Sequence, residues 1–481
     1  MTHGLHTSVL SIDVGTSGVR VALFAEDGNQ IEGVARRRSI SDFAEVDPDA
    51  LADEVVKTVD ELFTLSWDQS SQIEAIAIST FWHSLVGVDA TGTPTTPLLT
   101  WADTRAVKEA RELRAEFNEQ EIHARTGCRF HPSYWPAKLR WLTTEWPERF
   151  AATRLWLGFG EYLCLRLFGE AVASVSMASA TGVFDQKKCD WDFALIRDLP
   201  VARINTNTAL RLTDFFQKRW PALAGARLVT VVGDGAANNI GGGCSTKENV
   251  ALMIGTSGAM RVVFAGEPPA TIAPGLWSYR VSRERVVVGG ALSDGGGLLH
   301  WLVQSLNTGD DPIALQQQLA ALEPDAHGLT ILPFWSGERS TGWLADARGG
   351  IFGLRQQTTT VEIIRAALEA IAYRFALIAT ALDEIAPGAS VIATGNALRS
   401  SPVWLQIIAD VLGRPLLFGG APEASIRGAA LLALESVGKI ANIEAVRVSV
   451  DEVFEPDMQR HARYREGLAR QQELYDRLFG E

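Results

Sequence analysis

Apolar and polar positions alternate along the chain so as to mark short strands and amphipathic helices. Val9 to Val14 and Val19 to Phe24 are apolar runs, and a third lies near Ile31 to Ala35. The turns Gly15-Thr16-Ser17-Gly18 and Glu26-Asp27-Gly28 separate them, which predicts an antiparallel start. Asp47-Pro48 opens a helix through Phe63, because proline suits the first helical turn. Ile73 to Ser79 and Leu85 to Val88 read as strands around the polar-aromatic stretch Thr80-Phe81-Trp82-His83-Ser84. Charge-rich helical sequence runs from Thr104 to Ala124, and the Trp- and Pro-rich segment Pro132 to Phe150 reads as a surface insertion. Leu228 to Val232 is a strand ending at Gly233-Asp234-Gly235, followed by a small-residue helix. Helical spacing of Ile364, Leu368, Ile371, Phe375 and Ile378 predicts a long helix from Val361 to Ile385. Val391 to Ala393 is a strand, and Pro402 to Leu412 and Ser425 to Val437 are helices. Strands mix with helices throughout, so the class is α/β.

One pattern occurs twice. Gly255-Thr256-Ser257-Gly258 repeats Gly15-Thr16-Ser17-Gly18 at an offset of 240, and each copy joins two apolar runs, the second ending Phe-Ala. A single such tetrapeptide is an ordinary turn. Two with matching flanks indicate duplicated half-domains. A glycine-hydroxyl hairpin presents backbone N–H groups and hydroxyls to an anion, so two facing copies suit a polyphosphate. Asp13 precedes the first turn where Met253 precedes the second. A carboxylate beside a phosphate loop calls for a cation, which makes Asp13 the expected Mg²⁺-linked group. The Gly241-Gly242-Gly243 break divides the chain into residues 1–243 and 244–481.

Composition narrows the function. At 481 residues two or three domains are expected, and a net charge of −13 disfavours nucleic acid as a partner. The four cysteines are scattered with no CxxC, which indicates neither a zinc site nor a disulfide framework. No apolar run is long enough for a membrane span. The first apolar run leads straight into the phosphate turn without a signal-peptide pattern, so a cytoplasmic location is expected. No motif sets the oligomeric state, and a homodimer is left open.

Further motifs extend the picture. Trp101-Ala102-Asp103-Thr104-Arg105, Leu332-Pro333-Phe334-Trp335-Ser336-Gly337-Glu338-Arg339, Gly349 to Leu354 followed by Ala366-Ala367-Leu368-Glu369, and Ala424 to Ala430 occur in order. With the two hairpins, the chain from residue 9 to about 437 resembles the FGGY carbohydrate kinases of the actin/sugar-kinase/Hsp70 ATPase superfamily. The resemblance implies two ribonuclease-H-like (actin-like ATPase) domains, a mixed sheet in each, and an active site in the interdomain cleft. It implies ATP and Mg²⁺ as cofactors. Two departures stand out: Trp135-Pro136-Ala137 precedes Lys138 where the family pattern usually has Pro, Ser or Thr three residues before the lysine, and the adenosine loop reads Ala393-Thr394-Gly395-Asn396-Ala397.

The same resemblance assigns roles. Asp234 is the expected base that deprotonates the attacking hydroxyl; from the residues alone a helix N-cap is an equal reading. Gly15, Thr16, Ser17, Gly255, Thr256 and Ser257 are expected on the ATP phosphates, and Arg20 is either a phosphate contact or a hairpin charge. Gly395, Asn396 and Ser400 are expected on the adenosine side. Trp82, His83, Trp101, Asp103 and Arg105 are the candidate substrate contacts, with Asp103 and Arg105 alternatively fixing each other. Arg339 is a further candidate there, read as a residue of domain closure or one that supports the substrate contacts from behind. No GxxxxGK[ST] is present, which excludes Walker-type binding. The stretch Ser79 to Leu85, with Leu98 to Arg105 and Arg125 to Cys128, looks most like the gluconate-kinase branch, with Arg105 or Arg129 to meet the carboxylate. A neutral pentulose or polyol (xylulose, ribulose, glycerol) is the alternative acceptor, and an actin-like nucleotide switch without sugar chemistry is the rival class.

Overall fold

The computed structural model describes residues 7–16, 18–37, 43–65, 72–205, 209–308, 311–421 and 423–480. Strands β1 (Thr7–Gly15), β2 (Gly18–Ala25) and β3 (Gln30–Arg37) form an antiparallel meander. On the other edge of β1, β4 (Gln72–Thr80) runs parallel. β5 (Leu210–Arg211) is antiparallel to β6 (Arg227–Gly233), which pairs parallel with β4. The sheet order is β5-β6-β4-β1-β2-β3.

The second half repeats this plan. β7 (Asn249–Ile254) and β8 (Gly258–Ala265) form the second hairpin, and β9 (Trp277–Arg280) pairs with β10 (Arg285–Leu292), which pairs with β8. β11 (Ser390–Thr394) and β12 (Leu416–Gly419) run parallel beyond β7, and β13 (Val450–Phe454) closes the edge antiparallel. The order β13-β12-β11-β7-β8-β10-β9 is the first topology with one added edge strand. The hairpin repeat in the sequence is therefore a duplicated mixed sheet, the ribonuclease-H-like arrangement expected of both domains.

Helix starts follow local chemistry. The helix Thr360–Leu382 begins with a capping box between Thr359 and Glu362 and lays a continuous apolar stripe on the second core. The charge-rich helical stretch forms two helices, Val107–Glu116 and Glu119–Thr126, because Asn118 restarts the chain as an N-cap. The segment 132–150 is no surface insertion. It holds the helix Trp135–Glu145, whose Trp135, Ala137, Lys138 and Leu142 are buried. Trp135 stacks on Trp191 at 5.9 Å and donates its indole N–H to the Ser84 carbonyl at 2.8 Å. The terminal helix Met458–Phe479 escaped sequence reading, since only Tyr464, Gly467 and Gln471 of it are buried. Among the described residues no helix is long and apolar enough to cross a membrane, and all four cysteines are free and buried.

One helix does not stay with its own half. Ala424–Ser436 packs on the first sheet, with Ala429 and Leu431 to Leu434 inside that core and the Ile426 carbonyl accepting from Ser11 Oγ at 2.8 Å. It crosses the helix Asp234–Gly241 backbone to backbone: a Cβ on Gly428 would overlap the Ala237 carbonyl, and one on Gly241 the Ala424 carbonyl. Backbone on both sides cannot yield as a side chain does. Gly428→Ala is expected to destabilise the protein by about 2 kcal/mol through overpacking, read as a lowered urea midpoint. An unchanged midpoint would mean that the crossing relaxes freely.

Candidate active site

Both hairpin turns open onto one cleft of about 1530 Å³ between the two halves. That exceeds the usual volume for a single small ligand, about 300–1,000 Å³, and suits a nucleotide together with a second substrate. Three regions can be told apart by the residues that line them.

The middle holds the two hairpin turns expected on the phosphates. Gly15, Thr16, Arg20, Gly255, Thr256 and Ser257 all line the cleft; Ser17 lies outside the described residues. The second turn is pinned by the start of the helix Gly296–Ser305: Gly295 and Gly297 donate N–H to the Thr256 carbonyl and Gly296 to that of Gly255. A Cβ on Gly296 would come within 2.6 Å of the Gly255 carbonyl, so the run Gly295-Gly296-Gly297 is what permits this contact. It went unassigned in the sequence, although three consecutive glycines before a helical pattern are a readable sign of a close backbone approach. Asp13 and Arg20 face each other across the first hairpin and pair at 3.0 Å, while Ser79 Oγ donates to Asp13 at 2.8 Å. Arg20 also pairs with Glu423 at 2.5 Å, so it is a bridge between hairpin and returning helix, not a solvated charge. Burial raises the Asp13 pKa above the usual carboxylate value despite these partners.

One end matches the expected adenosine side. Gly395 and Asn396 line it, and Gly395 has φ of 111°, with Ile254 O where a Cβ would stand. Ser400 is not brought there. It is exposed, and its Oγ donates to the Ala397 carbonyl at 3.0 Å.

The other end is aromatic and contains Asp234. The carboxylate accepts the Gly235 N–H at 2.7 Å, while Gly233, not Asp234, occupies the N-cap position. Desolvation, opposed by Arg261 and reinforced by Asp13, raises its pKa to about 6. Trp82 explains the flanking glycines. Its indole lies over both, so that a Cβ on Gly233 would overlap the ring and one on Gly235 would reach 2.6 Å from Cζ3. Trp277 and Tyr279 of β9 meet Trp82 edge-on at 6.0 and 5.1 Å, and Tyr279 and Tyr134 join hydroxyls at 2.5 Å. This wall from two distant segments was not foreseen; its trace in the sequence is the aromatic alternation of Trp277-Ser278-Tyr279.

His83 sits at φ 65°, a conformation rare for a residue with a side chain. Nδ1 lies 2.7 Å from the Ala180 carbonyl and so carries the proton, and burial drives the ring pKa down to about 3. The imidazole is neutral and leaves Nε2 as an acceptor for a hydroxyl. Trp101 lines the same end under the Arg339 guanidinium, 5.0 Å away.

Two expected substrate contacts are elsewhere. Asp103 and Arg105 do not line the cleft: Arg105 holds Asp103 with Nε at 3.0 Å and Nη2 at 2.9 Å, pairs with Glu45, and lies on the Trp141 and Trp146 rings. Arg129 is likewise engaged, by Glu119 and the Pro274 carbonyl. Of the two readings of the Asp103–Arg105 motif, the fixed pair is the one observed. Lys138, in contrast, is central. Its buried ammonium donates to the carbonyls of His83 (2.9 Å), Thr100 (2.5 Å) and Ser133 (2.8 Å), tying together three loops that carry His83, Trp101 and Tyr134.

Likeness to known proteins agrees with this geometry. The gluconokinase of Bacillus subtilis (strain 168) is 31% identical over 462 residues, covering 91% of this chain and 89% of that protein. The crystal structure of gluconate kinase from Lactobacillus acidophilus superposes with a TM-score of 0.89 at 25% identity, covering 98% of each chain. A ligand-bound xylulose kinase from the same organism gives the same TM-score, identity and coverage. Residues 8–210 match the N-terminal domain, and residues 250–436 the C-terminal domain, of the FGGY family of carbohydrate kinases, and the chain belongs to that family.

Proposed function

We propose that this carbohydrate kinase transfers the γ-phosphate of ATP to a hydroxyl of gluconate, with Asp234 as the general base. The observation that carries the mechanism is the position of Asp234: a carboxylate with a pKa of about 6 at the aromatic end of a cleft entered by both hairpin turns. A base with that pKa is ionised at neutral pH and still accepts a proton readily. The turns supply N–H groups and hydroxyls around the phosphates, and Trp82, Trp277 and Tyr279 exclude water from the base. His83 Nε2 orients an acceptor hydroxyl. Phosphoryl transfer then needs little more than alignment and charge neutralisation.

Asp13 fits a magnesium ion. Each of its carboxylate oxygens takes one protein hydrogen bond, which leaves capacity on both, and burial raises its pKa against Ser79 and Arg20, so that a cation there would favour the ionised form. Bound there, directly or through water, Mg²⁺ would offset phosphate charge.

Gluconate is favoured by the gluconokinase relative, which matches along nearly the whole chain. A neutral pentulose is the second reading, favoured by the equal structural likeness to a xylulose kinase. Turnover of MgATP with gluconate, xylulose, ribulose and glycerol tests the choice. Gluconate is expected to give the highest kcat/KM; a higher value with any neutral acceptor would overturn the substrate and leave the base standing. The nucleotide-switch reading is set aside by membership of a carbohydrate-kinase family.

A further inference from the structure

The arginines expected to meet a substrate carboxylate, Arg105 and Arg129, are both neutralised outside the aromatic end. Six arginines line the cleft, Arg20, Arg261, Arg339, Arg399, Arg427 and Arg447, and of these Arg261 and Arg339 act on the Asp234 charge. Arg20 is paired with Asp13 and Glu423. Arg261 lies against Gly235, donates to its carbonyl and to Asn239 Oδ1, and is the counter-charge that holds the Asp234 pKa down. Arg339 is different. Among the described residues it has no carboxylate within ion-pair distance. Its one hydrogen bond is Nη2 to the Leu292 carbonyl at 3.0 Å, and its enclosed Nε–H has no acceptor. The guanidinium lies over Trp101, on the wall that also holds His83, Tyr134 and Trp343.

A desolvated guanidinium with an unanswered N–H is unfavourable until an anion arrives. Arg339 and Arg261 also repel each other, and the carboxylates of Asp294 and Asp234 act on Arg339 from a distance without pairing with it. An anionic acceptor gives the guanidinium a directly paired charge, and a neutral polyol does not. The cation–π contact with Trp101 restrains the guanidinium, whose planar fork matches a carboxylate bidentately.

We propose that Arg339 binds the carboxylate of a sugar-acid acceptor and so sets the preference for acid over neutral polyol. This rests on the gluconate reading above and names the residue responsible for it. The motif that places Arg339, Leu332 to Arg339, thereby joins second-half sequence to a site built mostly by the first half.

Calorimetric titration of gluconate and of its alcohol counterpart sorbitol into wild type, Arg339→Gln and Arg339→Lys tests the assignment. Wild type is expected to bind gluconate more tightly, and Arg339→Gln to lower the sorbitol-to-gluconate ratio of dissociation constants by about 10- to 100-fold. Arg339→Lys, which keeps the charge, is expected to restore part of the ratio. A wild type that prefers gluconate, with the ratio unchanged in Arg339→Gln, overturns the assignment and leaves the gluconate reading intact. Equal weakening of both ligands, as from misfolding or a purely structural role, also overturns it. Loss of affinity for a non-hydrolysable ATP analogue with the ratio preserved moves Arg339 to the γ-phosphate. A wild type that binds sorbitol more tightly overturns both the gluconate reading and the assignment.

Discussion

Asp234→Asn is expected to lower kcat by about three orders of magnitude, with KM for the acceptor little changed. The amide keeps the shape and the contact with the Gly235 N–H but cannot take the proton of the attacking hydroxyl. The wild-type enzyme carries a second signature of the same group. Its raised pKa of about 6 means that the base is progressively protonated below that pH, so kcat/KM falls toward tenfold per unit on the acid side. Arg261 lowers this pKa, so Arg261→Gln should move the acid limb to higher pH. An Asp234→Asn enzyme that retains a tenth of wild-type kcat would remove Asp234 from the role of base.

Lys138→Met should have the second largest effect, on stability and on the acceptor site together. Burial pushes the Lys138 pKa down to about 7, yet three carbonyls converge on the nitrogen, and only the protonated ammonium supplies three donors. Methionine preserves the volume and leaves the His83 and Ser133 carbonyls unanswered and that of Thr100 with only the Asp103 N–H at 3.3 Å, a loss of roughly 3 kcal/mol. Those carbonyls belong to the loops that present His83, Trp101 and Tyr134. The acceptor KM should therefore rise while KM for ATP holds. Urea unfolding and a comparison of the two KM values check this; a midpoint unchanged from wild type would show that the loops are held by other contacts.

The hairpins and the helix Pro402–Leu412 were legible because local chemistry fixes them, and Asp13, Asp234 and the described residues of both turns line one cleft. A glycine-hydroxyl turn between apolar runs, or a Ser-Pro start followed by helical spacing, carries its meaning in a few consecutive residues. Gly233 and Gly235 stand out in the sequence, but the reason for them is not local. Their lack of a side chain makes room for Trp82, more than a hundred residues away. The β9 wall, the Lys138 clamp and the place of Arg339 depend on such distant meetings, and no periodicity announces them. Asp103 and Arg105 illustrate the converse: a motif at close spacing satisfied itself and left nothing for a ligand.

The helix Ala424–Ser436 has a consequence for how the protein is made. The first sheet is complete in sequence by Gly233, yet the helix that covers part of it emerges from the ribosome about two hundred residues later. Until then the apolar side chains of β1, β2, β4 and β6 beneath that helix lack their cover, and a newborn first half is prone to association. The first sheet is thus covered only after most of the second has been made, and a fragment ending at residue 243 should depend on chaperones or on the missing segment supplied in trans.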